Sequence, residues 1–368
     1  MPFSLSEDEQ LIQKTVREFA QAVTLERASG YDRHDKFPAD VLGDAAGLGL
    51  LGISAPGSPL GATALALAAD ELAQVCPNSA AALVAHNAAQ ALLADGETVP
   101  WADGGLAALL LAEEATGSDL SAPGTTATPT AEGFKVTGQK VWGINAAVAR
   151  HFLVLATVPG AGPTLLHVPA DAPSVSLGEN EPLMGLRAAG IRTVYLSGVE
   201  VPASAAWGGP GGAGQRLPRA TAWLQLGAAA ALCGCVAGGL EAAARFAESR
   251  VQFGSPIGTY QAVSDGLATI DIQLAAARAL VLQAAARAEQ PDAAVWAARA
   301  KAFAAEMAIP MTRQAIRVQG GTGFMREGGT ERFARDARAL QFVGQASQMQ
   351  RDVLKRALLP NIEFPATP

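Results

Sequence analysis

The stretch GFKVTGQKVWGI, residues 133–144, decides the fold, because it is rich in β-branched and aromatic residues and is punctuated by glycines. This composition is typical of a β-strand that ends in a turn. Turn residues separate it from its neighbours at close spacing, which predicts an antiparallel barrel or sandwich rather than βαβ units. Five further strand candidates lie in the same part of the chain: LAALLLAEE (106–114), RHFLVLATV (150–158), PTLLHVP (163–169), VSLGE (175–179) and TVYLSGVEVP (193–202).

Helical patterns lie on both sides of this β segment. In LSEDEQLIQKTVREFAQAV (5–23), apolar residues recur near one face of a 3.6-residue period, and Ser6 with Glu9 predicts a capping box. The segment at 62–94 predicts two helices that are broken at Pro77. Beyond the glycine-rich linker WGGPGGAG, long helical segments are predicted at 216–250, 260–289, 293–320 and 331–359.

The order helices, strands, helices predicts one α+β domain of mixed type with a β insert. By this order the helical N-terminal part spans residues 1–104, the strand-rich middle part 105–208 and the helical C-terminal part 209–368.

Composition limits the function classes. Hydrophobic residues make up 49% of the chain and charged ones 17%, so extensive subunit contacts are expected. A net charge of −7 without a basic stripe argues against nucleic acid. The most apolar segment, LQLGAAAALCGCVAGGL (224–240), predicts a buried helix and no membrane span. Acids near the N-terminus argue against export, and Cys76, Cys233 and Cys235 are expected to be buried, reduced thiols of a cytoplasmic protein.

Two motifs in the β segment suggest ligand contacts. In AEEATGSDLS (112–121), the backbone N–H groups at Gly117 and Ser118 and the Ser118 hydroxyl suit an anionic or carbonyl oxygen. An Asx-type turn with solvated acids is the alternative. Trp142 lies next to a glycine and an amide, where an indole either packs against a planar cofactor ring or belongs to the core.

Two motifs in the bundle segment suggest further contacts. Arg250 and Phe253 flank a glycine–proline turn and suit a pyrophosphate and a ring, although an arginine at a helix C-terminus also complements the helix dipole. Gly320, Gly321 and Gly323 predict a bend or a close approach, without the spacing of a dinucleotide-binding fingerprint. Four scattered histidines give no support to a metal site or a catalytic triad.

Taken in order, these pieces resemble the acyl-CoA dehydrogenases, flavoproteins that oxidise the α,β bond of acyl thioesters. AEEATGSD (112–119) is similar to the family's substrate and flavin loop, and GFKVTGQKVWGIN (133–145) to the strand and turn that flank the flavin. MGLRAAGIRTVYLSGVEVPAS (184–204) resembles the family's late β-domain segment. Residues 248–278 resemble the helix–turn–helix that reaches a neighbouring flavin, and AIRVQGGTGFMREGGTERFARDARA (315–339) the C-terminal hallmark.

The resemblance runs over nearly the whole chain and implies a known architecture. It implies an N-terminal helical part, a central antiparallel β-barrel and a C-terminal four-helix bundle, usually assembled as a tetramer. FAD would lie between the β domain and the bundle, with part of its site supplied by a second subunit of a homo- or hetero-oligomer. The implied substrate is an acyl-CoA, and the implied electron acceptor is an electron-transfer flavoprotein or another acceptor.

The resemblance also implies site residues. The backbone of Leu111, Ala112 and Gly117, with Ser118, would approach the flavin and the acyl group, and Trp142 would cover the isoalloxazine. The remaining implied contacts are Arg250, Gln252, Phe253 and Gln261 of the neighbour at the pyrophosphate and adenosine, and Gly320, Gly321, Ser347 and Gln348 around the pocket.

The chain departs from the family at the catalytic base. In the family, a glutamate in the segment like QFVGQASQMQR (341–351) usually removes the α-proton, and an alignment without a gap puts Gly344 at that substrate-binding position. Some members place the glutamate on the first bundle helix, but Leu224 and Gln225 occupy the matching stretch here. Two routes to a general base are thus closed, and Gly344→Glu is expected to create or raise dehydrogenase activity.

Other departures concern the cofactor contacts and the acyl pocket. Ile144 falls where the family usually has a threonine whose hydroxyl meets the flavin, and Arg317 stands where a glutamine is common. The segment LADGETVPWADGGLAA (93–108) is shorter than its family counterpart.

Two functions follow from these observations. In the first, the protein is an acyl-CoA dehydrogenase-like flavoenzyme of weak or atypical activity, and Glu113 or Glu327 is a candidate replacement base. In the second, it is a catalytically degenerate subunit that binds a partner of the same family or a ligand. Loss of a positioned base typically lowers a rate by about 10²–10⁴-fold, so ordinary dehydrogenase activity is not expected.

Overall fold

Helices formed by both ends of the chain pack beside a sheet formed by its middle in the computed structural model, which describes residues 5–23, 25–93 and 104–364. The α-helices are α1 (Glu7–Ala22), α2 (Leu25–Arg33), α3 (Ala39–Gly47), α4 (Ala62–Ala73), α5 (Pro77–Gln90), α6 (Ala213–Ser249), α7 (Gln261–Ala285), α8 (Ala293–Gln319), α9 (Gly321–Phe324), α10 (Thr330–Leu340) and α11 (Ser347–Leu358). The strands are β1 (Ala107–Leu110), β2 (Thr126–Pro129), β3 (Gly133–Gly143), β4 (His151–Val158), β5 (Gly162–Pro169), β6 (Val175–Leu177), β7 (Arg192–Pro202), β8 (Ala206–Trp207), β9 (Val251–Gln252) and β10 (Ser255–Pro256).

Local sequence signals start the N-terminal helices. The capping box predicted for α1 is confirmed, because the Glu9 N–H donates to Ser6 Oγ and the Ser6 N–H donates to Glu9 Oε2. The break at Pro77 is also confirmed, since this proline opens α5, where its missing N–H leaves no helical bond unmade.

The sheet contains all six predicted strands. Its order is β6-β7-β3-β2-β4-β5-β8, and β1 joins it by pairing with β4. Most neighbours are antiparallel, whereas β4 runs parallel to both β1 and β2. The sequence did not predict β2, whose residues TATP end in a proline.

The C-terminal part is a bundle of α6, α7, α8 and the pair α10 and α11. The prediction of one helix over 331–359 is wrong, because the chain leaves the helix between Leu340 and Ser347. Gly344 and Gln345 adopt φ values of 71° and 75° there. Two consecutive left-handed residues cannot continue a right-handed helix, so the break is built into the backbone.

Helix α6 is the central element of the core. A Cβ at Gly227 would lie 2.6 Å from Val84 Cγ1 on α5, and one at Gly234 would lie 2.3 Å from the Asp70 carbonyl oxygen on α4, so both glycines permit close helix packing. Among the described residues, α6 and α7 have the length and apolar composition of a membrane span. In α6, 78% of that apolar window is buried in the protein, as in a core helix.

Candidate active site: a cavity between the sheet and the bundle

A cavity of about 600 Å³ lies where the sheet meets the bundle. Its walls come from β1, the loop after β1, the end of β3, the segment before β7, helices α5, α6 and α10, and the connection between α10 and α11. The lining residues are Ala85, Leu109, Leu111, Ala112, Gly117, Ser118, Leu120, Val141, Trp142, Ile144, Leu183, Met184, Gly185, Leu186, Ile191, Thr221, Leu224, Arg338, Ala339, Phe342, Val343, Gly344 and Gln345.

Residues that the sequence named as site candidates meet in this cavity. They come from three separate segments of the chain, and long-range folding brings them to one place. These candidates are Leu111, Ala112, Gly117, Ser118, Trp142, Ile144 and Gly344.

Trp142 is presented to the cavity rather than to the core. Its side chain is 53% exposed. Its φ is 55°, and the residue lies within the register shift between Lys140 and Gly143 where β3 pairs with β7. Such a backbone conformation costs about 1–3 kcal/mol outside glycine and persists only when neighbouring structure fixes it. Asn145 provides one such anchor, since its Nδ2 donates to the Ala82 carbonyl at 2.9 Å.

The loop after β1 is held by a buried ion pair. Lys140 Nζ lies 2.6 Å from Glu113 Oε1, and the N–H groups of Gly124 and Thr125 donate to the same carboxylate. Burial would raise the pKa of Glu113, but the Lys140 hydrogen bond and the Thr125 amide outweigh burial and lower it. Glu113 does not line the cavity, so it is not the replacement base that the sequence suggested.

The other suggested base, Glu327, does not line this cavity in its own chain either. It lines a different and smaller cavity, which it shares with Glu26, Arg33 and Arg332. Neither acid therefore faces the candidate active site.

The second half of the loop forms a turn. Asp119 Oδ1 accepts from the Ser121 N–H at 2.9 Å and from Ser121 Oγ at 2.7 Å, which is the Asx-type turn considered as an alternative. Ser118 faces the bundle instead, and its Oγ accepts from the Ala346 N–H at 3.2 Å.

The bundle wall opposite this loop carries amides instead of an acid. Gln345 Nε2 donates to the Ser118 carbonyl at 2.7 Å, and Gln225 Nε2 donates to Gln345 Oε1 at 3.3 Å. Gln350 Nε2 donates to the Gly344 carbonyl at 2.9 Å. A Cβ at Gly344, whose φ is 71°, would lie 3.0–3.1 Å from Gln225, so a glutamate there is strained unless Gln225 shifts. This crowding weighs against the gain of activity predicted for Gly344→Glu.

The described lining contains no aspartate, glutamate or histidine. Its charged member is Arg338, which is exposed and stacks on Phe342 at 5.5 Å. The hydroxyl of Thr221 donates to the Leu217 carbonyl at 2.8 Å. Within the part of the chain that the structure describes, the cavity can hold an apolar, planar ligand but has no group suited to take a proton at neutral pH.

Other predicted contacts lie on the surface, outside this cavity. Phe253 is 96% exposed and has a φ of 50° at the tip of the β9–β10 hairpin. Ser347 and Gln348 open α11 just beyond the wall. The exposed candidates of the α6–α7 connection and the end of α8 are Arg250, Gln252, Gln261, Arg317, Gly320 and Gly321.

The sequence missed the segment Leu183–Leu186 as a cavity wall. Gly185 lies so close to α10 that a Cβ would be 2.1 Å from the Arg335 carbonyl oxygen. The Leu186 N–H donates to Asp336 Oδ1 at 2.7 Å. Burial raises the pKa of Asp336 to about 6. The glycine in MGLR was an available signal, but its partner lies 150 residues further along the chain.

The histidines are less scattered than the sequence indicates. His151 Nδ1 and His167 Nε2 lie 3.0 Å apart on adjacent strands, and the Ala107 N–H donates to His86 Nδ1 at 2.9 Å. No group of three metal-binding side chains occurs among the described residues. The predicted shortening at 93–108 falls largely on 94–103, which lie outside the described residues.

Comparison with known proteins defines the class. Family models for the acyl-CoA dehydrogenase N-terminal, middle and C-terminal domains match residues 6–98, 108–199 and 219–359. A probable acyl-CoA dehydrogenase of Bacillus subtilis, YngJ, is 31% identical, and the match covers 98% of this chain and 100% of that protein. The chain belongs to the acyl-CoA dehydrogenase family of FAD-binding oxidoreductases.

Solved structures agree with the fold prediction. Butyryl-CoA dehydrogenase from Megasphaera elsdenii superimposes with a TM-score of 0.92 at 27% identity, covering 98% of this chain and 100% of that one. A chain from a structure described as the electron transferring flavoprotein of Acidaminococcus fermentans gives a TM-score of 0.93 at 27% identity, covering 98% of this chain and 100% of that one. The predicted α+β class with helical, sheet and helical parts is thereby confirmed.

Proposed function

We propose that this protein binds FAD and an acyl-CoA in the described cavity and carries out α,β-dehydrogenation weakly or atypically. The observation that carries this proposal is the composition of the cavity wall: the family's ligand-contacting segments converge on it, yet its described lining has no carboxylate. A cavity of this size and apolar character is typical of cofactor and substrate sites.

The residues present fit a flavin. Trp142 offers a half-exposed indole beside the cavity, and the turn at Gly117–Ser118 offers the Ser118 hydroxyl. Leu111 and Ala112 would contact the ring edge, and Ile144 supplies an apolar contact in place of a hydroxyl. FAD, when bound, supplies a hydride acceptor.

The substrate proposal rests on the apolar end of the cavity. Leu109, Leu120 and Leu224 line it together with Ala85, and the neighbouring contact between Val84 and Gly227 brings α5 close to α6. These surfaces favour a small apolar acyl group. The Ser118 hydroxyl can donate to a thioester carbonyl, because its described contact uses it as an acceptor.

A second subunit is part of the proposal. Arg250, Gln252, Phe253 and Gln261 are exposed here, as expected for residues that reach the FAD of a neighbouring copy, with Arg317, Gly320, Gly321, Ser347 and Gln348 completing the site. We propose a cytoplasmic homo- or hetero-oligomer, with a tetramer as the family's usual assembly and an electron-transfer flavoprotein as the acceptor.

The absence of a carboxylate from the described cavity lining favours one alternative function. A degenerate subunit that binds a catalytic relative, or a ligand without turnover, needs the cavity but no base. Both proposals predict bound flavin, and they differ in whether an acyl-CoA reduces it.

The experiment is a flavin count on the purified protein. After incubation with FAD and gel filtration, the visible spectrum should show about one flavin per chain, and butyryl-CoA should perturb that spectrum, because both ligands share the cavity. A colourless protein whose spectrum added FAD does not restore would overturn the flavin proposal. A flavin spectrum that no tested acyl-CoA changes would overturn the substrate proposal.

A further inference from the structure

The amide of Gln345 joins three parts of the cavity. It donates to the Ser118 carbonyl of the loop at 2.7 Å and accepts from Gln225 of α6 at 3.3 Å, while its own backbone belongs to the wall. The adjacent Ala346 N–H adds a second bond to Ser118, at 3.2 Å. The turn at Gly117–Ser118 is thus tied to the bundle across the cavity.

The backbone at Gln345 indicates that these bonds matter. Its φ of 75° lies in the left-handed region, which residues with a side chain rarely adopt, so surrounding contacts must hold it. At Gly344 a Cβ would press on Gln225, whereas the Gln345 side chain already fits and lines the cavity. Gln345 is therefore a polar wall position whose side chain lines the ligand space.

We propose that Gln345 is the positioning residue of this site. Its neutral amide holds the Gly117–Ser118 turn through its bond to the Ser118 carbonyl, which we call the clasp. Its side chain also occupies the position where a carboxylate would act as the base. This inference rests on the proposed function and deepens it. An amide donates to the Ser118 carbonyl at every ordinary pH but accepts no proton from a ligand, so the wall is ordered and without acid–base chemistry.

The variant Gln345→Glu separates these two properties. A protonated carboxyl donates to the Ser118 carbonyl and keeps the clasp, whereas the ionised form is repelled by that carbonyl and turns toward the ligand. There the carboxylate takes a proton from C2 of a bound acyl thioester: the C2–H bond breaks, an O–H bond forms, and the electron pair stays on the substrate as an enolate. Return of a deuteron in D₂O completes the exchange without net oxidation.

The clasp is tested first, on the full chain without ligand. The N–H groups of Gly117 and Asp119 are hydrogen-bonded within the loop and report its order. In Gln345→Ala their hydrogen exchange should be about tenfold faster, because a bond that closes the loop is lost. The matched control is Gln290→Ala, which removes an exposed amide in the α7–α8 connection and should leave both rates unchanged. Equal rates in Gln345→Ala and the parent protein would refute the clasp.

The base position is tested on FAD-loaded protein with butyryl-CoA in D₂O, by mass spectrometry of the recovered thioester. In Gln345→Glu, deuteration at C2 should rise with pH and exceed the parent rate by about 10²-fold or more at pH 8. No gain over the parent at any pH would overturn this part of the inference. If neither protein takes up FAD, the proposed function fails, while the hydrogen-exchange result still decides the clasp.

Discussion

Glu113 and Lys140 show that charged residues beside a binding loop can stabilise its structure without taking part in catalysis. The Lys140 side chain is 0% exposed and that of Glu113 is 8% exposed, and Lys140 Nζ also donates to the Leu111 carbonyl at 3.2 Å. Buried charges need partners, and each polar atom of this pair contacts the loop that lines the cavity. Sequence alone could not separate this role from that of a base.

Replacing Lys140 by methionine should therefore leave a buried carboxylate without its cation. We expect Lys140→Met to lower the free energy of unfolding by about 3–5 kcal/mol, measured by urea denaturation. Lys135→Met on the exposed face of the same strand is the control and should change it by less than about 0.5 kcal/mol. Equal effects of the two substitutions would contradict the structural role of the pair.

Gly344 allows a second prediction at this scale. A glutamate there would need a φ of 71° and would bring its Cβ within 3.0–3.1 Å of Gln225. We expect Gly344→Glu to lower stability by about 1–3 kcal/mol and to restore no dehydrogenase activity. Thermal unfolding and an acyl-CoA assay test this prediction together. A stable, active variant would contradict it and show that Gln225 can shift to admit the new side chain.

Helix α5 shows how the protonation of one buried side chain affects the stability of a whole element. Every residue of α5 is buried, and His86 accepts a hydrogen bond from β1 through Nδ1. Burial lowers the pKa of His86 to about 4. The helix therefore depends on keeping this imidazole neutral.

The pH dependence has a definite sign. An unfolded histidine titrates near pH 6.5, so between about pH 6.5 and 4 the unfolded state binds the extra proton and stability falls as pH falls. The loss from His86 approaches about 3 kcal/mol, and His86→Gln should remove it. Asp336, with its raised pKa, acts in the opposite direction in both proteins, so the difference between them isolates the histidine. Urea unfolding of both proteins from pH 7 to 4.5 measures this difference, and identical pH slopes would contradict it.

Elements were predictable where their signals were local. The capping box of α1, the break at Pro77 and six strands follow from residues within a few positions of each other. The break between α10 and α11 was missed because Gln345 adopts a left-handed conformation that contacts with Ser118 and Gln225 stabilise. The cavity wall at Leu183–Leu186 was missed for a similar reason, since its anchors on α10 are distant in sequence.

At the scale of the whole molecule, one of the described aromatic side chains lies almost fully in solvent. Phe253, at 96% exposure, lies on the same hairpin as Arg250 and Gln252, far from any described partner of its own kind except Tyr260. An exposed aromatic beside an arginine is typical of an interface centre. This exposure supports the proposal that the hairpin contacts a second subunit.

We expect light scattering to give a mass that is a multiple of the 37.5 kDa chain. Phe253→Ser should lower both that mass and the flavin content, because the same hairpin is proposed to reach the neighbour's FAD. Leu11→Ser, at an apolar residue on α1 that is 63% exposed, is the matched control and should alter neither. A variant that keeps its assembly and its flavin would exclude the hairpin from the interface.

The most direct test of the account is the anaerobic rate at which butyryl-CoA bleaches the bound flavin. The account predicts a yellow protein whose flavin bleaches about 10²–10⁴-fold more slowly than that of a relative with a carboxylate at the wall, because no carboxylate lies among the described residues that line the cavity. Bleaching as fast as in such a relative would contradict it, since a proton acceptor would then have to reach the ligand.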